Sequence, residues 1–173
     1  MRGIALLLIL LLKCPICCSA LGEHSELAVT LRSSKPNYSL NDDLHLEIQL
    51  SNTGTTPLLI RRQLGWGVGR TDIRVFDSNG KQVFTSFLAD EVPTPPKETD
   101  FVELDPNEFF GVRLKEPLRH FVNRPGNYHL VVDYTSTVDE QWTRKQLTIP
   151  NVRLWGRDRG TIESNRIKIA VTR

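Results

Sequence analysis

The chain has 173 residues, 39% of them hydrophobic, with 22 Lys and Arg against 20 Asp and Glu. That is enough polypeptide to bury the core of one domain without disulfides. The charge is close to balanced and the Arg residues are scattered rather than striped, which excludes nucleic acid as an expected partner.

In chain order the first element is a secretory signal. Residues 1–20 begin with one positive charge at Arg2, continue through an unbroken apolar run from Ile4 to Leu12 that Lys13 interrupts, and close on the small residues Cys18, Ser19 and Ala20 before the expected cleavage point. The run is less than half of the roughly 20 residues that cross a bilayer, so a transmembrane helix in the mature form is not expected. Cys14, Cys17 and Cys18 are the only cysteines and all lie in this segment. Cleavage after Ala20 discards them. A working C-x-x-C pair would need a βαβ context or further metal ligands nearby, and neither surrounds it. Lipid attachment at Cys17 or Cys18 is the alternative use. Arg2 and Lys13 also leave with the signal, so 20 of the 22 basic residues remain against 20 acidic ones. The expected address is secreted or periplasmic.

In the mature region, residues 21–173, the apolar spacing has a period of two. Leu27, Val29 and Leu31 alternate with polar residues, as do Leu44, Leu46, Ile48 and Leu50, then Tyr128, Leu130, Val132 and Tyr134, and finally Ile167, Ile169 and Val171. Such alternation belongs to strands with one buried face. "SNTGTTP", "DSNGK" and "LDPNE" read as turns, and Asn79-Gly80 predicts a hairpin between runs containing Ile73 and Val75 on one side and Val83 and Phe84 on the other. No long amphipathic helix competes, although "EPLRHFV" can form one short helical turn opened by Pro117. The expectation is a single all-β domain, an antiparallel β-sandwich of immunoglobulin-like form.

"LHLEIQLSNTG", "LDPNEFFGVRL" and "RPGNYHLVVDYTS" resemble segments of the immunoglobulin-like or fibronectin-type-III-like domains of secreted bacterial proteins. The order also resembles the proteinase-inhibitor family first known as intracellular in bacilli. The resemblance implies a sandwich in which Tyr128 packs its ring inward while its hydroxyl reaches backbone at a corner, and in which Asn52 caps a strand end. It implies no catalytic residue, and no inhibitory motif matches residue by residue.

The chemistry-bearing residues agree with that absence of a reaction signature. There is no G-x-S-x-G elbow, and His45 and His129 fall on strands assigned to opposite sheets, so they are not expected to meet. His45 with Glu47, and His129 with Asp133, give two ligands each, too few for a metal site, so no metal or cofactor is expected. Asp42-Asp43 and Asp139-Glu140 read as turn carboxylates that cap backbone. Asn37-Tyr38-Ser39 is a glycosylation sequon only in a eukaryotic host.

If every apolar run is one antiparallel strand, connections alternate between the two ends of the sandwich. Residues 51–56, 77–80, 105–107 and 137–140 then form tight turns at one end, and the long connections 34–41, 64–70, 88–100, 115–126 and 151–160 gather at the other. Two of the long connections pair an aromatic with arginines: Trp66 with Arg70, and Trp155 with Arg157 and Arg159. These residue types are enriched in binding hot spots, and the same tryptophans can instead plug the end of a core. The expected function is a non-enzymatic domain that binds a protein or an extracellular polymer through this pole. Its alternatives are a protease inhibitor that presents the loop between Asp90 and Asp100, braced by Pro93 and Pro95, and a structural accessory domain of the cell envelope.

Overall fold

A computed structural model describes residues 25–62, 64, 71–85 and 96–173. The expected signal segment, with its three cysteines, lies outside them. The strands are β1 (Leu27–Ser33), β2 (Asn37–Ser39), β3 (Asp43–Asn52), β4 (Leu58–Arg61), β5 (Thr71–Asp77), β6 (Gln82–Thr85), β7 (Phe101–Leu104), β8 (Phe109–Pro117), β9 (Gly126–Thr135), β10 (Arg153–Leu154), β11 (Thr161–Glu163) and β12 (Ile167–Thr172), with one helix, α1 (Glu140–Gln146).

Alternation builds the two main layers. β1, β3 and β8 form one antiparallel sheet, and β2, β12, β9, β5 and β6 form the other, with β11 also on β9. Leu31, Ile48, Leu50, Ile73, Leu130 and Val132 meet between them with no exposed surface. Burying each such aliphatic side chain contributes about 1.5–3 kcal/mol, so this interior is the main source of stability. The fold is therefore the expected all-β sandwich. A third small sheet, β10-β4-β7, lies beside the two layers. Its β4 is buried on both faces: Leu58 and Ile60 join the main core, while Leu59 joins a second cluster with Phe101, Val138 and Leu154.

The turn chemistry follows the sequence. Gly80 has φ of 78°, which a side chain would strain, and it closes the hairpin between β5 and β6. Asn107, at φ 68°, turns the chain between β7 and β8. A 3-10 turn over Leu118–His120 begins after Pro117, where one helical turn is expected.

Two side chains hold the ends of strands. Asn52, 1% exposed, donates through Nδ2 to the carbonyls of Thr56 (2.8 Å) and Leu104 (2.9 Å), and its Oδ1 accepts from Gly54 N at 2.9 Å. The Tyr128 ring is buried and its hydroxyl donates to Arg124 O at 2.8 Å. Replacing Asn52 with Ala strands two carbonyls in or near the interior, whereas Tyr128→Phe strands one. Urea unfolding should show Asn52→Ala losing about 2–3 kcal/mol and Tyr128→Phe about 1 kcal/mol. A loss for Asn52→Ala no greater than that for Tyr128→Phe would contradict this assignment.

Candidate functional site

The strand registers fix which connections share an end. At one end Asp77 lies opposite Tyr128, Val171 opposite Gly126, and Leu118 N donates to Asp42 O. Connections 34–41, 77–80 and 115–126 therefore meet there. At the other end Thr53 N donates to Glu26 O, Asn107 N to Asn52 O, and Thr161 lies opposite Thr135. Connection 151–160 belongs to this second end, since Arg153 pairs with Glu26.

This corrects the expected grouping of long connections at one pole. Residues 77–80 sit with the long connections and residues 151–160 with the tight turns. Strict alternation fails because several short strands do not traverse the sandwich. β2 runs parallel to β12, and β10, two residues long, runs parallel to β4. The expected tight turn at 137–140 is likewise the start of a longer excursion, from the end of β9 through α1 and β10 to β11. The helix escaped notice because it is only seven residues long. Asp139 caps it by accepting from Trp142 N at 2.9 Å, and Glu140 pairs with Arg144 at 2.8 Å.

Trp66, Arg70, Pro93 and Pro95 lie outside the described residues. Trp155 is 4% exposed and packs in the main core, so its ring plugs that interior, while its indole Nε1 has no hydrogen-bond partner among the described residues. Arg157 pairs with Asp139 at 2.7 Å. Arg159 Nε is 4.0 Å from Asp158, beyond hydrogen-bond reach.

Trp155 and Arg159 help line a groove of about 590 Å³ that also meets Ser25, Glu26, Arg153 and residues 161–163. One side is the start of β1 and the other is β11, segments more than 130 positions apart in the chain. Sequence reasoning found Trp155 and Arg159 from composition, but Glu26 and Glu163 carry no local signal of meeting them. A second, more open depression of about 380 Å³ is lined by Ser34, Lys35, Asp42, Asp43 and His45 at the opposite end.

His45 on β3 and His129 on β9 lie in different sheets, as expected. Asp133, which shares a strand face with His129, is held by Arg74 through contacts of 2.6 and 2.8 Å. Asp133 first, and then Glu163 at 2.5 Å, keep the Arg74 guanidinium above its ordinary range against the opposing effect of burial. Among the described residues no three His, Cys, Asp or Glu side chains are grouped to hold a metal ion.

Asp42 behaves as the expected turn carboxylate, accepting from Lys35 Nζ at 2.6 Å and from Ser39 N at 2.9 Å. The Lys35 bond, followed by the Ser39 amide, holds its carboxyl below the usual aspartate range. A lowered folded pKa means the stabilisation is present above the unfolded pKa and lost as pH falls through the folded value. Asp42→Asn should therefore be less stable than the parent at pH 7, with the gap shrinking as pH falls below the aspartate range. Unfolding midpoints measured across pH 7 to 2 check this, and a gap independent of pH would contradict it.

No family model and no curated protein matches this sequence. Several solved structures match this chain at low similarity. The CARDB domain of the PF1109 protein from Pyrococcus furiosus, solved in complex with di-metal ions, is 16% identical with a TM-score of 0.37, over 84% of this chain and 87% of that one. A β-glucosidase from Listeria innocua, solved with isofagomine, is 16% identical with a TM-score of 0.40, and the match spans 86% of this chain but 16% of the glucosidase. The β-glucosidase EmGH1 from Erythrobacter marinus is 11% identical with a TM-score of 0.39, over 84% of this chain and 15% of that protein. Among the described residues no helix is long and apolar enough to cross a membrane.

Proposed function

We propose that this chain is a secreted or periplasmic, non-enzymatic binding domain whose contact surface is the end of the sandwich carrying Trp155, Arg157 and Arg159. The observation that supports it best is the groove between the start of β1 and β11, whose lining includes Trp155 and Arg159. Concave sites with a buried aromatic and a few convergent polar groups are the usual form of a ligand site. Nearby side chains are committed to structure instead: Asp139 caps α1 and pairs with Arg157, and Asp133 and Glu163 pair with Arg74. That leaves a surface suited to recognition, and its partner is a protein or an extracellular polymer.

Reversing the two exposed charges, Arg157→Glu with Arg159→Glu, should leave urea stability within about 1 kcal/mol of the parent. The same double variant should lose at least ten-fold in affinity for whatever the parent captures from the surrounding fluid or envelope fraction. Unchanged affinity in the folded variant would move the surface elsewhere. The address is checked by fractionation with N-terminal sequencing of the expressed full chain, with a mature start at Leu21 expected outside the cytoplasm. A cytoplasmic product that retains Met1 would overturn it.

A further inference from the structure

The two outer edges of the β1-β3-β8 layer are finished differently. At β1 the Asn165 amide accepts from Leu31 N at 2.8 Å and donates to Leu31 O at 3.0 Å, which covers that edge. β8 ends the layer on the other side, and among the described residues no strand pairs with its outer edge. The phase of its ladder is set at both ends, where Asn52 N donates to Glu108 O at 3.0 Å and Leu118 N to Asp42 O at 3.0 Å. The even-numbered residues of β8 therefore spend their backbone groups on β3, and Phe109, Gly111, Arg113 and Lys115 turn theirs outward. Pro117, with no N–H, ends this row of donors.

The side chains along this edge are apolar where a defended edge carries charge. Phe110, Val112 and Leu114 pack against the core from the inner face, yet each is only half-buried. Phe109 is 62% exposed on the outer face. Sheet edges are protected by inward-pointing charges, prolines or bulges, and the stretch from Phe109 to Lys115 contains none of these. Its two cations are already balanced from β3, Arg113 by Glu47 at 3.7 Å and Lys115 by Asp43 at 3.1 Å. The edge thus offers backbone donors and acceptors, half-buried apolar side chains and little net charge, which together suit a second strand.

The residue order selects the same strand of a second copy. Antiparallel self-pairing centred on Val112 sets Phe110 opposite Leu114 and Val112 opposite itself on the inner face, with Phe109 opposite Lys115 and Gly111 opposite Arg113 on the outer one. Every outward N–H of each copy then meets a carbonyl, apolar meets apolar inside, and no like charges stand directly opposite. The Lys115 ammonium can lie over the Phe109 ring, and Gly111, with no side chain, leaves room for Arg113. A centre at Arg113 would oppose two guanidiniums, and a centre at Gly111 would leave the Lys115 amide beyond the partner strand. We propose that β8 pairs antiparallel with β8 of a second copy of this chain, about a twofold axis through Val112, so that the two β1-β3-β8 layers join into one continuous sheet. This contact lies at the opposite edge of the layer from β1 and the groove, so it goes beyond the binding reading and does not depend on it.

Sedimentation equilibrium of the expressed protein should show a monomer–dimer equilibrium with Kd of about 10 μM or tighter. Val112→Glu and Val112→Lys each set a charge against its own copy across the axis, so each alone should weaken the dimer at least ten-fold. An equimolar mixture of the two should recover a heterodimer, because position 112 meets itself only in this register. Arg113→Pro reads the same edge without touching the half-buried face. The Arg113 N–H faces away from β3, so its loss removes no bond within one copy, and the variant should keep the parent's near-ultraviolet circular dichroism while losing the dimer at least ten-fold. A parent that stays monomeric at about 100 μM would overturn the proposal and leave the edge to a strand of a different protein. A dimer that survives Arg113→Pro, or folded Val112→Glu and Val112→Lys chains that do not recombine, would overturn it equally.

Discussion

Everything in this molecule is arranged around a dry layer between two pleated sheets. Alternate residues of β1 and β3 face alternate residues of β5, β9 and β12, and Leu27, Leu31, Ile48, Leu50, Ile73, Leu130 and Val132 all lose their accessible surface there. Because a strand sends successive side chains to opposite faces, filling that layer sends the remaining residues outward or to the ends. Polar groups are then tolerated inside only where a side chain answers the backbone. Asn52 does this at one end, and Tyr128 does it at the other.

The seam between the sheets is closed by the same device. Asn165 accepts from Leu31 N at 2.8 Å and donates to Leu31 O at 3.0 Å, so its amide takes the place of a neighbouring strand along the free edge of β1. An exposed strand edge is a template for unwanted pairing, and a side-chain amide spent on it blocks that route. Ser164 acts similarly on β9, where its hydroxyl accepts from Val132 N at 2.9 Å. Both residues sit between β11 and β12. The groove beside β11 is therefore what is left open where the side-chain stitching of the seam stops.

The sequence was most readable where a single physical rule acts locally. Period-two burial marks β1, β3, β9 and β12, and Asn79-Gly80 marks the hairpin because positive φ is cheap only for a few residue types. The roles of Asn52 and Tyr128 were legible through the resemblance of their segments to immunoglobulin-like domains. What was not legible depends on long-range meetings. β9 breaks simple alternation at Leu130, Val131 and Val132, all buried, because Arg74 and its partners cover the outer face of the strand. The end at which residues 151–160 lie depends on α1 and β10, whose lengths are seven and two residues. Elements that short leave no periodic trace, so the alternation rule has nothing to act on where they occur.

Trp155 takes the core-plug reading of the two open to it: its ring fills the core, which fixes it in place, and its indole Nε1 is buried with no hydrogen-bond partner among the described residues. The excursion through α1 contributes to the same rigidity. Asp139 caps the helix and pairs with Arg157, and Arg157 N donates to Val138 O at 2.8 Å, tying the segment after Trp155 back to the start of the helix. The helix is thereby tied to the segment that carries Trp155 and Arg159, although none of its own residues lines the groove.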